Sequence, residues 1–292
     1  MNSAALICDR RCFVQKLSLA AASLLAMPPL AGCMSRALAP EKMADGILWQ
    51  IDDKTIDLQG NWDRMGARTL LIQWSALNDV SFIEGGPWPL AERLPDWQSI
   101  ARQPWAKEVI LGLAGRSDEN AARADFPNLV EVSERLARLP TPLNVVGWYF
   151  PVEIDSSWQG ARQLGPLLSR LPRPLWLSLY DSANVGAETL TQWLDEWLPP
   201  DVGIFFQDGV GVHARTAEVA RQHADVLIRS LGKNRVRMIA EAFRPDSGGG
   251  FRPATAAELS VQLQIYEGLP VYLFDGPHYL SERLVNELTL NL

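Results

Sequence analysis

Eight short apolar runs, each followed by a helix-like pattern, constrain the fold of this chain more than any other feature. The runs are nearly continuous in apolar character, which is typical of parallel strands that are covered on both faces. Parallel neighbours need a crossover connection between them, and the intervening segments are long enough to supply it. The predicted strands span residues 46–51, 69–74, 108–113, 145–150, 175–180, 202–206, 236–240 and 271–274.

Helical spacing of leucine fills the gaps between several of these runs. Leu129, Val132, Leu136 and Leu139 recur at three- and four-residue steps, and further leucines repeat this spacing after the fifth run. Eight such units within residues 45–292 fit the usual size of a (β/α)8 barrel, about 250 residues. We therefore predict an α/β chain with one TIM-barrel domain over 45–292. An open doubly wound sheet is the alternative, but no glycine-rich phosphate loop follows the first run.

The N-terminus reads as a targeting segment. A basic start is followed by an apolar run over residues 17–30, which is too short to span a bilayer comfortably. The run closes with Leu-Ala-Gly-Cys at 30–33, which resembles a bacterial lipobox. The resemblance implies that residues 1–32 are a lipoprotein signal peptide, that Cys33 is lipidated, and that 33–44 form a tether. A plain secretory signal with an incidental cysteine is the alternative.

Two further expectations follow from this processing. Met34, rather than Asp, follows the lipidated cysteine, and among such lipoproteins this implies the periplasmic face of the outer membrane. Cys8 and Cys12 leave with the signal peptide, so the mature chain has neither a disulfide nor a thiol nucleophile.

Charge and motif content exclude several function classes. The chain carries a net charge of −7 and has no tract of lysine and arginine, so nucleic acid is not an expected partner. Its three histidines lack the spacing of a catalytic zinc site, and neither a phosphate-binding loop nor a serine-hydrolase elbow is present. We predict no metal and no cofactor.

Polar and aromatic residues gather where the predicted strands end. In a barrel of this kind the loops that follow the strands build the active site. Carboxylates there can bind sugar hydroxyls and aromatic rings can stack on sugar C–H faces, so this pattern favours a carbohydrate cleft. The predicted substrate-binding residues are Asp52, Trp74, Tyr149, Tyr180, Asp181, Gln207, Asp208, Phe243, Asp275, His278 and Tyr279.

Two glutamates at these strand ends are the predicted catalytic pair. Glu153 follows the fourth run and Glu241 follows the seventh. Glycoside hydrolysis needs two carboxyl groups across the scissile bond, one protonated and one ionised. Strands on opposite sides of a barrel hold such groups ~5–10 Å apart, which spans both the retaining and the inverting geometries.

The same positions resemble the large clan of retaining glycosidases that shares this barrel. The resemblance implies that Glu153 is the acid/base, that Glu241 is the nucleophile, and that the reaction passes through a glycosyl-enzyme intermediate. That clan usually has asparagine immediately before its acid/base, and this chain has Val152.

A closer resemblance is to a bacterial barrel family of uncertain function that is grouped with the glycoside hydrolases. The stretches that carry it are GWYFPVEID at 147–155 and QDGVG at 207–211, together with the glutamate that ends strand seven. The resemblance covers residues 45–279 approximately. It implies a glycosidase without indicating which sugar is cleaved.

Structural interpretations of the same residues stay open at this point. Glu153 could help to cap the helix that follows it. Glu241 could form a salt bridge with Arg237 or Arg244. Asp208, in a Gln-Asp-Gly sequence, could be only a turn former.

The sequence therefore predicts a lipid-anchored glycoside hydrolase that acts on an exopolysaccharide or cell-envelope glycan by a retaining mechanism. The expected partners are that glycan and, through the lipid, the membrane. The first alternative is a non-catalytic polysaccharide-binding lipoprotein of an export or synthesis machine, which Val152 would favour. The second is a structural lipoprotein that binds a protein partner.

Overall fold

A closed barrel of eight parallel strands forms the centre of the computed structural model, which describes residues 42–290. Each strand pairs with the next one along the chain, and the last strand closes on the first. In chain order the strands are β1 Gly46–Trp49, β2 Thr69–Ile72, β3 Glu108–Gly112, β4 Val145–Asp155, β5 Leu175–Tyr180, β6 Val202–Gln207, β7 Val236–Glu241 and β8 Val271–Phe274. The predicted (β/α)8 fold is confirmed. The predicted signal peptide, the lipidated Cys33 and most of the tether lie outside the described residues.

The helices around the barrel differ widely in length, from 4 residues in α1 to 18 residues in α2. They are α1 Trp97–Ile100, α2 Glu119–Leu136, α3 Leu164–Leu168, α4 Ala187–Asp195, α5 Ala217–Leu231, α6 Ala256–Ile265, α7 Gly276–Tyr279 and α8 Glu282–Thr289. Between β1 and β2 the connection contains only the 3-10 turn Trp62–Met65. Within residues 42–290 no helix is long and apolar enough to cross a bilayer.

Local sequence signals explain where the longer helices begin. Asp118 and Thr216 accept hydrogen bonds from backbone amides in the first turns of α2 and α5. Thr255 and Glu258 form a complete capping box at the start of α6, as their spacing predicts. These caps fix where each loop at the carboxyl ends of the strands gives way to a helix.

Short strands add structure to the loops that follow three barrel strands. Ala76–Leu77, Val80–Ser81 and Ala114–Gly115 form a small sheet beyond β2 and β3. Phe243–Pro245 pairs antiparallel with Phe251–Pro253 in a hairpin beyond β7. Both elements lie at the carboxyl ends of the strands, which we call the mouth of the barrel; the amino ends are the lower pole.

Aromatic rings fill the lumen near the lower pole. Trp176, Phe205 and Tyr272 pack edge to face inside the barrel. Glycines on the neighbouring strands make room for the rings: a Cβ at Gly147 would lie 2.3 Å from the Trp176 ring, and one at Gly46 would lie 2.5 Å from the Tyr272 ring. Such positions accept only glycine, because protein interiors have no slack of this size. The lumen is therefore packed at this pole.

Candidate active site

Glu153 stands on a strand that is longer than its sequence predicts. The predicted run ends at Phe150, whereas β4 continues to Asp155. The pairing register with β5 shifts between Phe150 and Glu153, so that Glu153 lies opposite Ser178. Irregularities of this kind at barrel rims redirect side chains. The shift places Glu153 within the strand, so it does not cap the helix that follows.

The Glu153 carboxyl group is held from across the lumen. Its Oε2 accepts a hydrogen bond of 2.6 Å from the Gln207 side-chain amide, which also donates to the Ser178 hydroxyl at 2.7 Å. Burial raises the pKa of Glu153, while the Gln207 hydrogen bond and the Arg123 charge act in the opposite direction. Glu153 thus keeps its proton to a higher pH than a solvated glutamate does, as a general acid requires.

Glu241 is the last residue of β7 and is 4% exposed. Its Oε2 accepts hydrogen bonds from the backbone amides of Gly211, at 2.7 Å, and Val212, at 3.3 Å. A Cβ at Gly211 would lie 2.9 Å from that same oxygen and 2.7 Å from the Phe243 ring, so only glycine allows this approach. The loop after β6 therefore supplies the oriented donors for this carboxyl group.

Neither arginine that was considered as a salt-bridge partner pairs with the Glu241 carboxyl group. Arg244 donates to the backbone oxygen of Glu241, at 3.1 Å, and to the Gln262 side chain, at 2.6 Å. Arg237 lies near the lower pole, with its guanidinium 3.9 Å from the Trp176 ring centre. The salt-bridge interpretation of Glu241 is wrong.

Asp208 lies directly behind Glu241 and is fully buried. It accepts hydrogen bonds from the amides of Val210 and Glu241, both at 3.2 Å, from Gln262 at 2.5 Å and from the Tyr266 hydroxyl at 2.9 Å. This position corrects two predictions: Asp208 is more than a turn former, and it does not present its side chain to a substrate. It supports the backbone of the candidate catalytic residue.

Asp208 and Glu241 are buried close to each other, because Asp208 accepts from the Glu241 amide, and their like charges repel. Burial first, and then the charge of Asp208, raise the pKa of Glu241 to about 8. Burial raises the pKa of Asp208 to about 6, against its four hydrogen bonds. Like charges at a buried site cannot both ionise freely, so the pair retains a proton close to neutral pH.

Tyr180 shows that both glutamates face the same mouth. Burial raises the pKa of the Tyr180 phenol, and so do the negative charges of Glu241 and Glu153, while Arg215 opposes them. The Arg215 guanidinium lies over the Tyr180 ring, 5.8 Å from its centre, and donates to the Asp181 backbone oxygen at 2.6 Å. The predicted side chains of β4, β5 and β7 therefore converge.

A histidine between two carboxylates marks the opposite side of the mouth. His278 Nδ1 lies 2.9 Å from Asp275 and Nε2 lies 3.0 Å from Asp52. The Asp275 hydrogen bond is the main reason that the pKa of His278 rises to about 9. Asp275 is buried and accepts from the Gln50 amide at 3.2 Å. This cluster joins the loop after β1 to α7, and only Asp52 and His278 have exposed surface there.

Aromatic rings form a shelf beside Glu241. Phe243 packs against Phe251, with ring centres 4.6 Å apart, and against Tyr279 at 5.1 Å. Phe243 itself is buried, whereas Phe251, at the tip of the hairpin beyond β7, is 50% exposed. The predicted stacking role thus shifts from Phe243, which backs the shelf, to Phe251 and Tyr279.

Three other residues that were predicted to contact the substrate are buried. Tyr149 is 2% exposed, within the lumen, and packs against Phe205. Asp181 is fully buried and accepts from the Val185 amide at 2.9 Å, so it folds the loop after β5. Trp74 is buried and donates to the Ile51 backbone oxygen at 3.2 Å. The structure does not support direct substrate contact for these side chains, because protein encloses them.

Sequence reasoning missed Glu119, Ser178, Arg215 and Phe251. Glu119 reads as an ordinary acidic residue in the first turn of a helix, and its long-range contact leaves no local signal. Phe251 had one: it is a lone aromatic residue that directly follows three glycines in the loop after β7. In the described part of the chain no group of three or more histidine, cysteine or acidic side chains is arranged to hold a metal ion.

Comparisons with known proteins complete the description. No family model matches this chain. It is 25% identical over 206 residues to the uncharacterized protein YbcH of Escherichia coli K12. The similarity covers 59% of this chain and 67% of that protein.

Two solved structures are similar to this chain. One, from Bacteroides thetaiotaomicron, is provisionally assigned as an alpha-L-fucosidase; it is 15% identical, with a TM-score of 0.57 over 87% of this chain and 96% of its own. The other is the PgaB (BpsB) glycoside hydrolase domain of Bordetella bronchiseptica, 13% identical, with a TM-score of 0.48 over 84% and 99%. At 15% identity, the first likeness shows a shared barrel fold.

Proposed function

We propose that this chain is a glycoside hydrolase whose catalytic carboxyl groups belong to Glu153 and Glu241. The observation that carries the proposal is the presence of two largely buried carboxyl groups at one barrel mouth without a salt bridge to either, among residues 42–290. Buried acids without a counter-charge reduce stability, and active sites are where proteins retain them. The barrel shared with a provisionally assigned fucosidase supports the same substrate class.

In the retaining mechanism that we propose, the two groups have different roles. Glu241, which is largely protonated at neutral pH, would first release its proton to solvent. Glu153, with a raised pKa, would then protonate the glycosidic oxygen as the bond breaks, while the Glu241 carboxylate attacks the anomeric carbon and forms a glycosyl-enzyme. Gly211 and Val212 hold one oxygen of Glu241, and the other oxygen accepts no hydrogen bond from the described residues. In the second step Glu153, now ionised, would take a proton from water, whose oxygen displaces the sugar from Glu241.

Positive charge that develops on the sugar ring would favour the ionised form of Glu241. That form is disfavoured in the free protein, since Asp208 and burial hold the pKa of Glu241 at about 8. Interactions that strengthen only in the transition state accelerate the chemical step. The electrostatic cost of ionising Glu241 beside Asp208 in the free protein is therefore consistent with catalysis.

The substrate that we propose is an exopolysaccharide or a glycan of the cell envelope. The support is the N-terminal sequence, with its apolar run and Leu-Ala-Gly-Cys at 30–33, which favours attachment to the periplasmic face of the outer membrane through Cys33. The partly exposed aromatic pair, Phe251 and Tyr279, offers a stacking surface for a sugar ring next to Glu241.

A direct test is to express residues 34–292 and screen glycans for new reducing ends. The matched variants are Glu153→Gln and Glu241→Gln, with Glu131→Gln, an exposed residue of α2, as control. We expect cleavage by the wild type and by the control, and losses of about a thousandfold in each site variant. Full activity in both site variants would refute the assignment.

A non-catalytic polysaccharide-binding protein is the second candidate. Val152, buried where the register of β4 shifts, occupies the position at which the retaining clan usually carries asparagine, and that departure favours binding without cleavage. Retention of a glycan by the wild type, with no product after long incubation, would select this candidate over hydrolysis.

A further inference from the structure

Glu119, a third carboxyl group, contacts Glu153 from outside the strand. Its Oε1 accepts a hydrogen bond of 2.9 Å from the Glu153 backbone amide. Four residues further along α2, Arg123 donates to the Glu153 backbone oxygen through two nitrogens, at 3.1 and 3.3 Å. Both polar groups of the Glu153 backbone are thus held by side chains from the first turns of one helix.

Glu119 and Arg123, which together hold the Glu153 backbone and which we call the clamp, are themselves held in place. Asp118 caps α2 by accepting from the Ala121 amide at 2.7 Å, which fixes the position of Glu119 at the helix start. Arg123 lies 3.3 Å from Glu119 and packs over the Trp158 ring, 5.5 Å from its centre. A negative charge is favoured at a helix N-terminus. The clamp therefore acts at the point where the register of β4 shifts.

A carboxylate is more than this clamp needs. Glutamine at 119 would accept the same hydrogen bond from the Glu153 amide without placing one acid beside another. Burial and the charge of Glu153 together raise the pKa of Glu119 to about 8, although Arg123 opposes them. That shift belongs to Glu119, whereas the pKa of the Glu153 carboxyl group is set by burial, Gln207, Arg123 and Asp155. Glu119 therefore acts on Glu153 through the backbone amide.

The other groups that face Glu153 do not replace this one. Asp155 on β4 adds a further negative charge, Gln207 on β6 donates a hydrogen bond, and Tyr180 on β5 has a phenol whose pKa is raised by burial. Asp155 already accepts hydrogen bonds from the amides of Ser157 and Ser182, both at 2.8 Å. Burial acts to raise the pKa of Asp155, but these hydrogen bonds outweigh it and the pKa is lowered. Glu119 is the acidic neighbour that binds the Glu153 backbone amide.

We propose that Glu119 is a positioning residue for Glu153: together with Arg123 it holds both polar groups of the Glu153 backbone where the register of β4 shifts, and so fixes the direction of the Glu153 side chain. This inference rests on the proposed function, in which Glu153 supplies a proton to the leaving group. Glu119 would act through the Glu153 backbone, without contacting the substrate.

The test follows the titration of individual glutamates by NMR in residues 34–292, which contain the closed barrel, after labelling of the glutamate side-chain carboxyl carbons. Glu119→Gln and Glu153→Gln assign the two signals, and Glu131→Gln is the control. In Glu153→Gln we expect the Glu119 midpoint to fall by at least about 0.5 pH unit, because a neighbouring negative charge is removed. An unmoved midpoint would contradict the placement of the Glu119 carboxyl group beside Glu153 and would overturn the inference.

The clamp is tested by hydrogen exchange of the Glu153 amide. Glu119→Ala should speed this exchange at least about tenfold, whereas Glu119→Gln, which keeps an acceptor oxygen, should preserve most of the protection. Equal exchange in Glu119→Ala and in the control would overturn the positioning role. Thermal melts of each variant establish that the comparison is made between folded proteins.

These readouts need no substrate, so they decide the inference even when the proposed function fails. Absence of cleavage by the wild type on every glycan tested would count against hydrolysis alone. With a cleaved glycan in hand, Glu119→Ala should lower kcat with KM nearly unchanged, whereas Glu119→Gln, which keeps the acceptor oxygen, should retain most of kcat. An unchanged kcat in Glu119→Ala would contradict the positioning role while leaving the hydrolase assignment in place.

Discussion

The mouth and the lower pole of this barrel surround their charged groups in different ways. At the lower pole the half-buried Arg237 lies over the Trp176 ring, 3.9 Å from its centre, and close-packed aromatic rings fit against glycines. At the mouth, Glu153, Glu241 and Asp208 are enclosed without a cationic partner in direct contact, and burial raises the pKa of each. Neither Arg237 nor these acids has a salt bridge among the described residues, but the ring faces at the lower pole attract a cation, whereas Glu241 and Asp208 at the mouth repel each other.

The largest expected effect that tests this contrast is on catalysis. Glu241→Gln removes the proposed nucleophile, and we expect kcat to fall about a thousandfold or more on any glycan that the wild type cleaves. The melting temperature should stay the same or rise, since an uncompensated buried carboxyl group is lost. A variant that is both active and less stable would break the contrast at the mouth.

The next effect is the pH dependence of stability. Glu241 has a pKa of about 8 when folded, above the ordinary value of 4.5, so its contribution is fully present below pH 4.5 and is lost as the pH rises through 8. Across this window the wild type should lose on the order of 2–4 kcal/mol that Glu241→Gln does not lose.

Denaturant melts of both proteins between pH 5 and pH 9 measure this difference directly. The coupled titration of Asp208, whose pKa is raised to about 6, falls within the same window, so Asp208→Asn should also flatten the pH dependence. If the free energy of unfolding changes with pH in the same way in the wild type and in Glu241→Gln, the raised pKa of Glu241 is contradicted.

A smaller effect is expected from the lower pole. Gly147→Ala places a methyl group 2.3 Å from the Trp176 ring, and the resulting overpacking should reduce the free energy of unfolding by about 1–3 kcal/mol. Because the change is distant from the mouth, kcat per folded molecule should not change. Ala257→Val, which also enlarges a side chain but on the exposed face of α6, is the control. A lower kcat in Gly147→Ala would show that packing at the lower pole affects the mouth.

The smallest predicted effect concerns the aromatic shelf. Phe251→Ala removes an exposed ring next to the mouth, and we expect kcat/KM to fall about three- to tenfold, mainly through KM. Val261, also exposed and on α6, provides the control variant Val261→Ala. Equal kinetics in both variants would remove Phe251 from the substrate path.

Most of the fold could be predicted from local sequence. All eight barrel strands were predicted within a few residues, since continuous apolar runs with helical spacing between them are a local signal. The extension of β4 to Asp155 was not predictable, because it depends on a register shift against β5. Such shifts are set by tertiary packing, for which the run of apolar residues gives no indication.

The candidate site was predictable only in outline. The positions of Glu153 and Glu241 follow from counting strands, whereas the role of Asp208 depends on Gln262 and Tyr266, which are 54 and 58 residues away. Glu119 contacts Glu153 across 34 residues. Composition alone cannot distinguish a carboxylate that binds solvent from one that is enclosed by distant partners.

The first described residues, 42–45, lie beside the start of β1 and bond to Met65 and Val271, at the end of the cylinder that faces away from the cleft. The chain therefore joins the cylinder at one pole, and the candidate catalytic groups open at the other. The entry point of the chain and the entry point of a substrate are thus separated by the length of the barrel.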